Sequence, residues 1–310
     1  MTQSRKLKIG TRGSLLARTQ ATTVAAELAE LGHDTELVII STAGDRSTAT
    51  SFAAIGPTGV FVRDIEQALL DDIVDVAVHS FKDLPTESPP ELKIVAVPQR
   101  LDAADSLIMT REAWTEHPEI LPLRAGARVG TASARREAWV KHLRPDLKVE
   151  PIRGNVPTRI GRLDDGLDAI ILAAAGLERL QASTLAASPA LHLDQRIVRR
   201  LDPKTFVPAP AQGALALQCR AADKKLISTL SVLAHGPTQL NVGVERALLA
   251  KVEGGCDLAF GAYCTEASSS DGTLELIAML QRDGALIVAE VRDKDPHALV
   301  DMAWQTLRDA

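Results

Sequence analysis

Three short stretches set arginine and hydroxyl groups at spacings suited to holding an anion: GTRGS (residues 10–14), GTASARR (130–136) and RGNVPTR (153–159). Each follows an apolar run that reads as a strand and precedes a run with helical spacing, so each falls where a strand hands over to a helix. A helix start offers free backbone N–H groups and the positive end of the helix dipole. Arginine adds a charge that does not titrate and a planar fork that binds a carboxylate through two parallel N–H groups. The side chains concerned are Arg12 and Ser14, then Thr131, Ser133, Arg135 and Arg136, then Arg153, Asn155 and Arg159. Asn155 also reads as an N-cap. Such arginines are either surface groups paired with nearby acids or the site of a ligand with several anionic groups, and their recurrence at matched positions in two α/β units favours the ligand.

Two further stretches carry reactive groups. HSFKDLP (79–85) places Lys82 and Asp83 at another strand end, before a proline that stops any helix. Asp83 is either half of an ion-paired turn or a carboxylate that stabilises a developing cation or moves a proton. His79 reads as structural. In VEGGCDLAFGAYC (252–264), Cys256 follows two glycines just past a helical run. Glycine lets the backbone take unusual torsions and expose the next side chain. A thiol held there is either inert or suited to attachment and nucleophilic chemistry. Cys219, inside ALALQCR, reads as a buried strand residue. The three cysteines show no CxxC spacing, and no pattern reads as a metal site; an odd, sparse set argues against a disulfide framework and fits a reducing cytoplasm.

The bulk of the chain sets these stretches in relief. It has 310 residues and a formal net charge of -5, with a pI near 5.8. Residues 128–162 nevertheless carry nine Lys or Arg against three acids. A basic stretch on an acidic chain points to a small acidic ligand rather than to nucleic acid, which favours a broad basic surface. With aromatics at 3% there is little for stacking bases. The start, MTQSRKLKIG, has no apolar signal region, and no run approaches the ~18 apolar residues of a membrane span. A cytoplasmic monomer is expected, binding neither membrane nor nucleic acid.

The elements that must position these groups follow from periodicity. KLKIG reads as a strand, SLLARTQATTVAAELAELG as a helix closed by glycine, TELVIIST as a buried strand, VFVRDIEQALLDD as a helix, and VDVAVHS and LKIVAVP as strands. The rhythm restarts after Asp102 with SLIMT, ARVGT, SARREAWVKHL, LKVEPI, VPTRIGRLDDG and LDAIILAAAG. This is a repeat of architecture, not of sequence. FVPAPAQGALALQCR reads as a Pro-rich crossing into a strand. From about residue 223 a long helix, LNVGVERALLAKVEGG, precedes two strands joined by RDGA, a hairpin signal, and a closing helix. The expected fold is α/β, with two doubly wound domains, residues 1–102 with 203–221 and residues 103–202, and a smaller α+β domain over 222–310.

GTRGSLLA, HSFKDLP, GTASARR, RGNVPTR, AAAGLERL, PAPAQGALALQCR and EGGCDLAFGAY occur in an order that closely resembles the porphobilinogen deaminases, the hydroxymethylbilane synthases of porphyrin and heme biosynthesis. The resemblance runs from about residue 6 to the last helix. It implies two domains like the lobes of type II periplasmic binding proteins and a third carrying one dipyrromethane cofactor on a cysteine through a thioether. It implies a transferase that joins four porphobilinogen molecules head to tail, losing ammonia each time, and then releases a linear tetrapyrrole by hydrolysis. By position, Cys256 matches the attachment cysteine and Asp83 the catalytic carboxylate. Lys82, Asp83, Thr131, Ser133, Arg135, Arg136, Asn155 and Gln212 match cofactor contacts; Arg12, Ser14, Arg153, Arg159 and Arg179 match substrate contacts. Asp45 matches an aspartate near the family's mobile loop. The chain departs from the family pattern at Ala54 and Thr58, where lysines often stand in a loop that keeps Phe61, and at Ala104 and Ala211, where Arg and Gly are frequent. Acetate and propionate groups on every pyrrole would explain the arginines. The alternatives are a non-enzymatic anion binder of the same fold, which needs no attachment cysteine, and a nucleic-acid binder, which the shortage of aromatics disfavours.

Overall fold

The computed structural model describes residues 5–41, 62–116, 120–185, 191–252, 259–268 and 271–310. The chain divides into two compact units: residues 1–101, 182–186 and 214–240, and residues 102–181, 187–213 and 241–310.

The first unit is built on a five-stranded sheet of β1 (Leu7–Arg12), β2 (Thr35–Ile40), β3 (Val76–Ser80), β4 (Leu92–Ala96) and β10 (Leu215–Arg220). Their order is β2-β1-β3-β10-β4. β1 runs parallel to β2 and β3, and β10 runs antiparallel to β3 and β4. One face is covered by α1 (Leu15–Glu30) and α6 (Lys224–Ser231), whose Ala21, Val24, Leu28, Leu226 and Leu230 pack on Ile9, Val76, Val78 and Leu217. α2 (Arg63–Leu70) covers the other face, setting Ile65, Ala68 and Leu69 against Val74 and Ala77. Ser14 caps the start of α1 by accepting from Ala17 N–H at 3.3 Å. Gly32, at φ 81°, ends it and returns its N–H to the Ala29 carbonyl. A side chain at that φ would be strained, so the glycine stop read from the sequence has a physical cause.

The second unit repeats the design. Its larger sheet contains β5 (Asp105–Met109), β6 (Arg128–Thr131), β7 (Lys148–Pro151), β8 (Ala169–Ala173) and β9 (Ile197–Arg200) in the order β7-β6-β8-β5-β9. β6 is parallel to β7 and β8, and β5 is antiparallel to β8 and β9. Both sheets therefore run second, first, third, inserted, fourth. The inserted strand is in each case the one that follows the other sheet's last strand in the chain: β5 follows β4, and β10 follows β9. α3 (Ala134–Leu143), α4 (Val156–Gly161) and α5 (Ala174–Gln181) follow β6, β7 and β8.

The same unit holds an antiparallel sheet, β11 (Phe260–Glu266), β12 (Leu274–Arg282) and β13 (Ala285–Asp293), with α8 (Pro296–Asp309) and, from residue 241 onward, α7 (Gly236–Val252). One face of β12, through Leu276 and Ala278, packs on Leu248 of α7 and on Leu299 and Ala303 of α8. Ile277 and Met279, facing the other way, join the core containing Trp139 and Phe206. Asp283 (φ 51°) and Gly284 (φ 83°) make the tight turn between β12 and β13. Two consecutive positive φ values match the right-handed strand twist, which is why Asp-Gly signals a hairpin.

These two sheets and the smaller one are the α/β architecture expected from the sequence. Two details differ. β2 is an edge strand rather than a buried one, and among the described residues it pairs with β1 alone, leaving Ile39 48% exposed. α6 was not foreseen, and α7 begins at Gly236, ahead of the expected start. No helix among the described residues is long and apolar enough to cross a membrane, and no cluster of three His, Cys, Asp or Glu among them could hold a metal.

Candidate functional site

In the first unit the site lies at the C-terminal ends of β1 and β3, where open α/β sheets present ligand groups. Arg12 is the last residue of β1. The Ser14 oxygen accepts from the α1 backbone, which leaves its O–H as a donor. β3 runs into a short 3₁₀ turn, Phe81–Asp83. Phe81 and Leu84 are buried, and Phe81 N–H bonds to the Ala214 carbonyl at 3.0 Å. These anchors turn Asp83 outward, with Lys82 half-buried beside it. Asp83 is exposed and has no hydrogen-bond or ion-pair partner among the described residues. A pocket in this unit is lined by Arg12, Ser14, Gln20, His79, Ser80 and Asp83, floored by apolar groups that include Val62 and Ile65. Gln20 and Ser80 hold each other across it at 2.8 Å.

In the second unit, Thr131 ends β6 and is buried; its Oγ1 accepts from Ser133 N–H at 3.2 Å. Ser133 caps α3, accepting from Arg136 N–H. Gly130 permits this close packing, since a Cβ there would lie 2.7 Å from Leu167 Cδ1. Arg135 and Arg136 are not surface groups: they are 4% and 6% exposed and converge on Asp105, which is fully buried at the start of β5. Arg136 donates Nη2–H to Asp105 Oδ1 at 2.7 Å and Nη1–H to the Ile171 carbonyl at 2.8 Å. Arg135 pairs with Asp105 Oδ2 at 2.9 Å and donates to the Val207 carbonyl. Gln212 donates Nε2–H to Asp105 Oδ1 at 2.9 Å and to the Ala103 carbonyl at 2.8 Å. Burial is the strongest single influence on Asp105 and raises its pKa. The Arg135 and Arg136 charges, with hydrogen bonds from Arg136 and Gln212, together outweigh it and hold the carboxyl far below its usual range. Two guanidiniums against one carboxylate leave a buried net charge of about +1.

Asn155 caps α4, accepting from Thr158 N–H at 2.9 Å and from its hydroxyl at 2.8 Å. Arg159 donates Nε–H to the Gly154 carbonyl at 2.8 Å. Its pKa is lowered first by burial and then by the Arg136 charge, so the two cations lie within electrostatic reach. Arg153 is exposed, and neither it nor Arg159 meets a carboxylate among the described residues. Arg179 donates to the Gly213 carbonyl at 2.9 Å, and burial pulls its pKa down to about 10.

Arg12, Ser14, Lys82 and Asp83 thus share one sheet edge of the first unit. Thr131, Ser133, Asn155, Arg153 and Arg159 share the corresponding edge of the second, while Arg135, Arg136 and Gln212 sit behind it in the Asp105 cluster. Cys256, Asp45 and residues 54–61 lie outside the described residues. The sequence reading missed Asp105; its signal was an acid opening an apolar strand, in DAADSLIM. It also missed Glu245, fully buried on α7, which accepts from Ala211 N–H at 2.7 Å and Cys264 N–H at 3.0 Å. Ala211 holds φ 60°, and the hydrogen bond its N–H donates to Glu245 helps fix that conformation.

Sheets of one strand order, each ending in cationic, hydroxyl-bearing helix starts, make an α/β protein suited to a polyanionic small molecule. The family model "Porphobilinogen deaminase, dipyromethane cofactor binding domain" matches residues 7–228. The porphobilinogen deaminase of Mycobacterium leprae is 42% identical over 288 residues, 93% of this chain and 86% of that one. That of Mycolicibacterium gilvum is 44% identical over 266 residues, 86% of this chain and 80% of that one. The chain belongs to the porphobilinogen deaminase family. Among solved structures, an "Ancestral Cationic Amino Acid Solute Binding Protein" is similar at a TM-score of 0.40 and 14% identity, covering 74% of this chain and 87% of that one.

The family's cofactor is a dipyrromethane, and the described residues suit its carboxylate side chains. Arg153 and Arg159 have no acidic partner among them, and Arg135 Nε is buried without a hydrogen bond. Donors without internal acceptors are what an anionic ligand requires.

Proposed function

We propose that this chain works as a hydroxymethylbilane synthase, condensing porphobilinogen head to tail with loss of ammonia and releasing the linear tetrapyrrole by hydrolysis. The observation that carries the assignment of roles is Asp83: an exposed carboxylate without a partner among the described residues, on an anchored turn beside the guanidinium-lined pocket. Departure of ammonia from porphobilinogen leaves positive charge spread over the pyrrole and its methylene. A carboxylate already in place stabilises that charge without reorganising, and losing one such group typically costs about 2.7–4 kcal/mol of transition-state stabilisation. Arg12 and Ser14 take substrate carboxylates in the first unit; Arg153, Arg159 and Arg179 do so in the second. Lys82, Thr131, Ser133 and Asn155 hold the dipyrromethane, while Arg135, Arg136 and Gln212 supply the buried positive charge behind it. When bound through the Cys256 thioether, the cofactor supplies the pyrrole chain to which substrate units are added. The domain carrying Cys256 is assigned residues 222–310, with 1–102 plus 203–221 and 103–202 as the other two, in a cytoplasmic monomer.

The test compares wild type with Asp83→Ala in a porphobilinogen consumption assay, alongside intact mass. Wild type is expected to carry added mass that Cys256→Ser lacks. Asp83→Ala is expected to keep its circular dichroism spectrum and lose at least about 100-fold in kcat. Full activity in that variant removes Asp83 from the mechanism, and a bare polypeptide mass from a porphobilinogen-making host removes the covalent cofactor.

A further inference from the structure

On the face of the first sheet covered by α2, three polar side chains lie among apolar ones. His79 on β3 and Gln218 on β10 are diagonal neighbours, because Ala77 is paired with Gln218 and His79 with Ala216. His79 Nε2 lies 3.0 Å from Gln218 Oε1. Gln218 in turn donates Nε2–H to Glu66 Oε1, on α2, at 2.9 Å. The three residues are 5%, 0% and 8% exposed.

The chemistry of the acceptors orders this chain. A carboxylate accepts only, so Gln218 turns its nitrogen to Glu66 and its carbonyl to the imidazole. A carbonyl also accepts only, so the His79 proton must sit on Nε2. Burial holds the ring neutral near pH 7, with a pKa lowered to about 4 against a smaller opposing effect from the Gln218 bond. Nδ1 then carries a lone pair, and no described residue bonds to it. The ring lines the pocket that contains Asp83 and Arg12.

We propose that Glu66 and Gln218 are positioning residues that lock His79 in its Nε2–H tautomer, and that His79 Nδ1 accepts a hydrogen bond from a substrate N–H, either the pyrrole nitrogen or the aminomethyl nitrogen. The identity of that donor rests on porphobilinogen being the substrate. The arrangement divides the work of the pocket. Asp83 faces charge, whereas a neutral nitrogen gives direction without a second negative charge to repel the substrate's carboxylates.

Two measurements on the full-length protein test this. Nitrogen NMR of the histidine side chains, with His79 assigned by its loss in His79→Leu, is expected to show protonated Nε2 and bare Nδ1 near pH 7. Gln218→Met, which can neither accept nor donate in the same way, is expected to abolish that single tautomer. In steady-state assays His79→Leu is expected to raise KM for porphobilinogen about tenfold while changing kcat less than about threefold, as loss of a uniform binding contact would. His79→Asn, whose Oδ1 restores an acceptor near the Nδ1 position, is expected to recover most of that loss. If His79→Leu does not fold, Gln218→Met carries the kinetic test. An unchanged KM in a folded variant overturns the contact, and a ring protonated on Nδ1 overturns the relay. Wild type that does not consume porphobilinogen overturns the donor's identity and the substrate reading together, a failure the NMR result separates from the relay.

Discussion

Asp105 and His79 are both buried and both titratable, and they make stability depend on pH in different ranges. His79 titrates near 6.5 when unfolded and near 4 when folded. The unfolded chain binds the extra proton first, so stability is full above about pH 6.5 and falls as pH drops towards 4. The loss amounts to about 3 kcal/mol once pH is below the folded value. His79→Leu is therefore expected to flatten that limb in urea melts between pH 7 and pH 4, relative to wild type. Asp105 acts lower. Its folded pKa is depressed, so its contribution is present above the unfolded value of 3.8 and is lost as pH falls below it. Removing this carboxylate does more than removing a proton site. Asp105→Ala leaves two buried guanidiniums facing each other without compensation, a change worth about 3–5 kcal/mol. The unfolding free energy of Asp105→Ala from urea melts should fall accordingly at neutral pH, and a loss below about 1 kcal/mol would show that water or a rearrangement takes the place of the ion pairs.

At the scale of elements, the start of α4 depends on one glycine. Gly154 holds φ 101°, and a Cβ there would lie 2.7 Å from Thr158 Cγ2. Gly154→Ala is expected to cost about 1–3 kcal/mol through strain and displacement of the Asn155 cap. Because Arg159 is held by the Gly154 carbonyl, substrate KM should rise with it; thermal melts and kinetics on one sample check both. This segment was legible in the sequence because capping is local: Asn155 announces itself a few residues from the groups it satisfies. The Asp-Gly hairpin and the glycine stop of α1 were legible for the same reason. Long-range partners were not. Nothing near Asp105 announces that Arg135, Arg136 and Gln212 will converge on it, so Arg135 and Arg136 read as surface groups or ligand contacts, whereas their guanidiniums are buried against Asp105. β2 read as buried because its residues are apolar, yet edge or centre is decided by which strands pair alongside. Cys256 and Asp83 stood out by sequence context, a preceding Gly-Gly pair and the end of an apolar run, and of the two only Asp83 falls among the described residues.

The connectivity of the whole chain carries its own consequence. Neither five-stranded sheet is made from a continuous segment: β3 and β4 of the first are joined only through β10, which arrives more than a hundred residues later. Residues 1–101 alone would leave the inner edges of both strands unpaired and the core over Val78 and Val95 covered by α1 without α6. They would also lack Leu215, Leu217, Leu226 and Leu230, all buried in that core. Four such leucines at roughly 1.5–3 kcal/mol each amount to about 6–12 kcal/mol, comparable to the entire stability of a typical domain. A polypeptide of residues 1–101 is therefore expected to show no cooperative urea transition. Adding residues 214–240 through a flexible Gly-Ser linker restores β10, α6 and the bond from His235 N–H to the Val97 carbonyl. Since closing a longer loop costs little per added residue, that joined polypeptide is expected to recover native-like circular dichroism and a single transition. A cooperative transition in residues 1–101 alone would mean that β3 and β4 find another pairing, and that the inserted strand is not what completes the sheet.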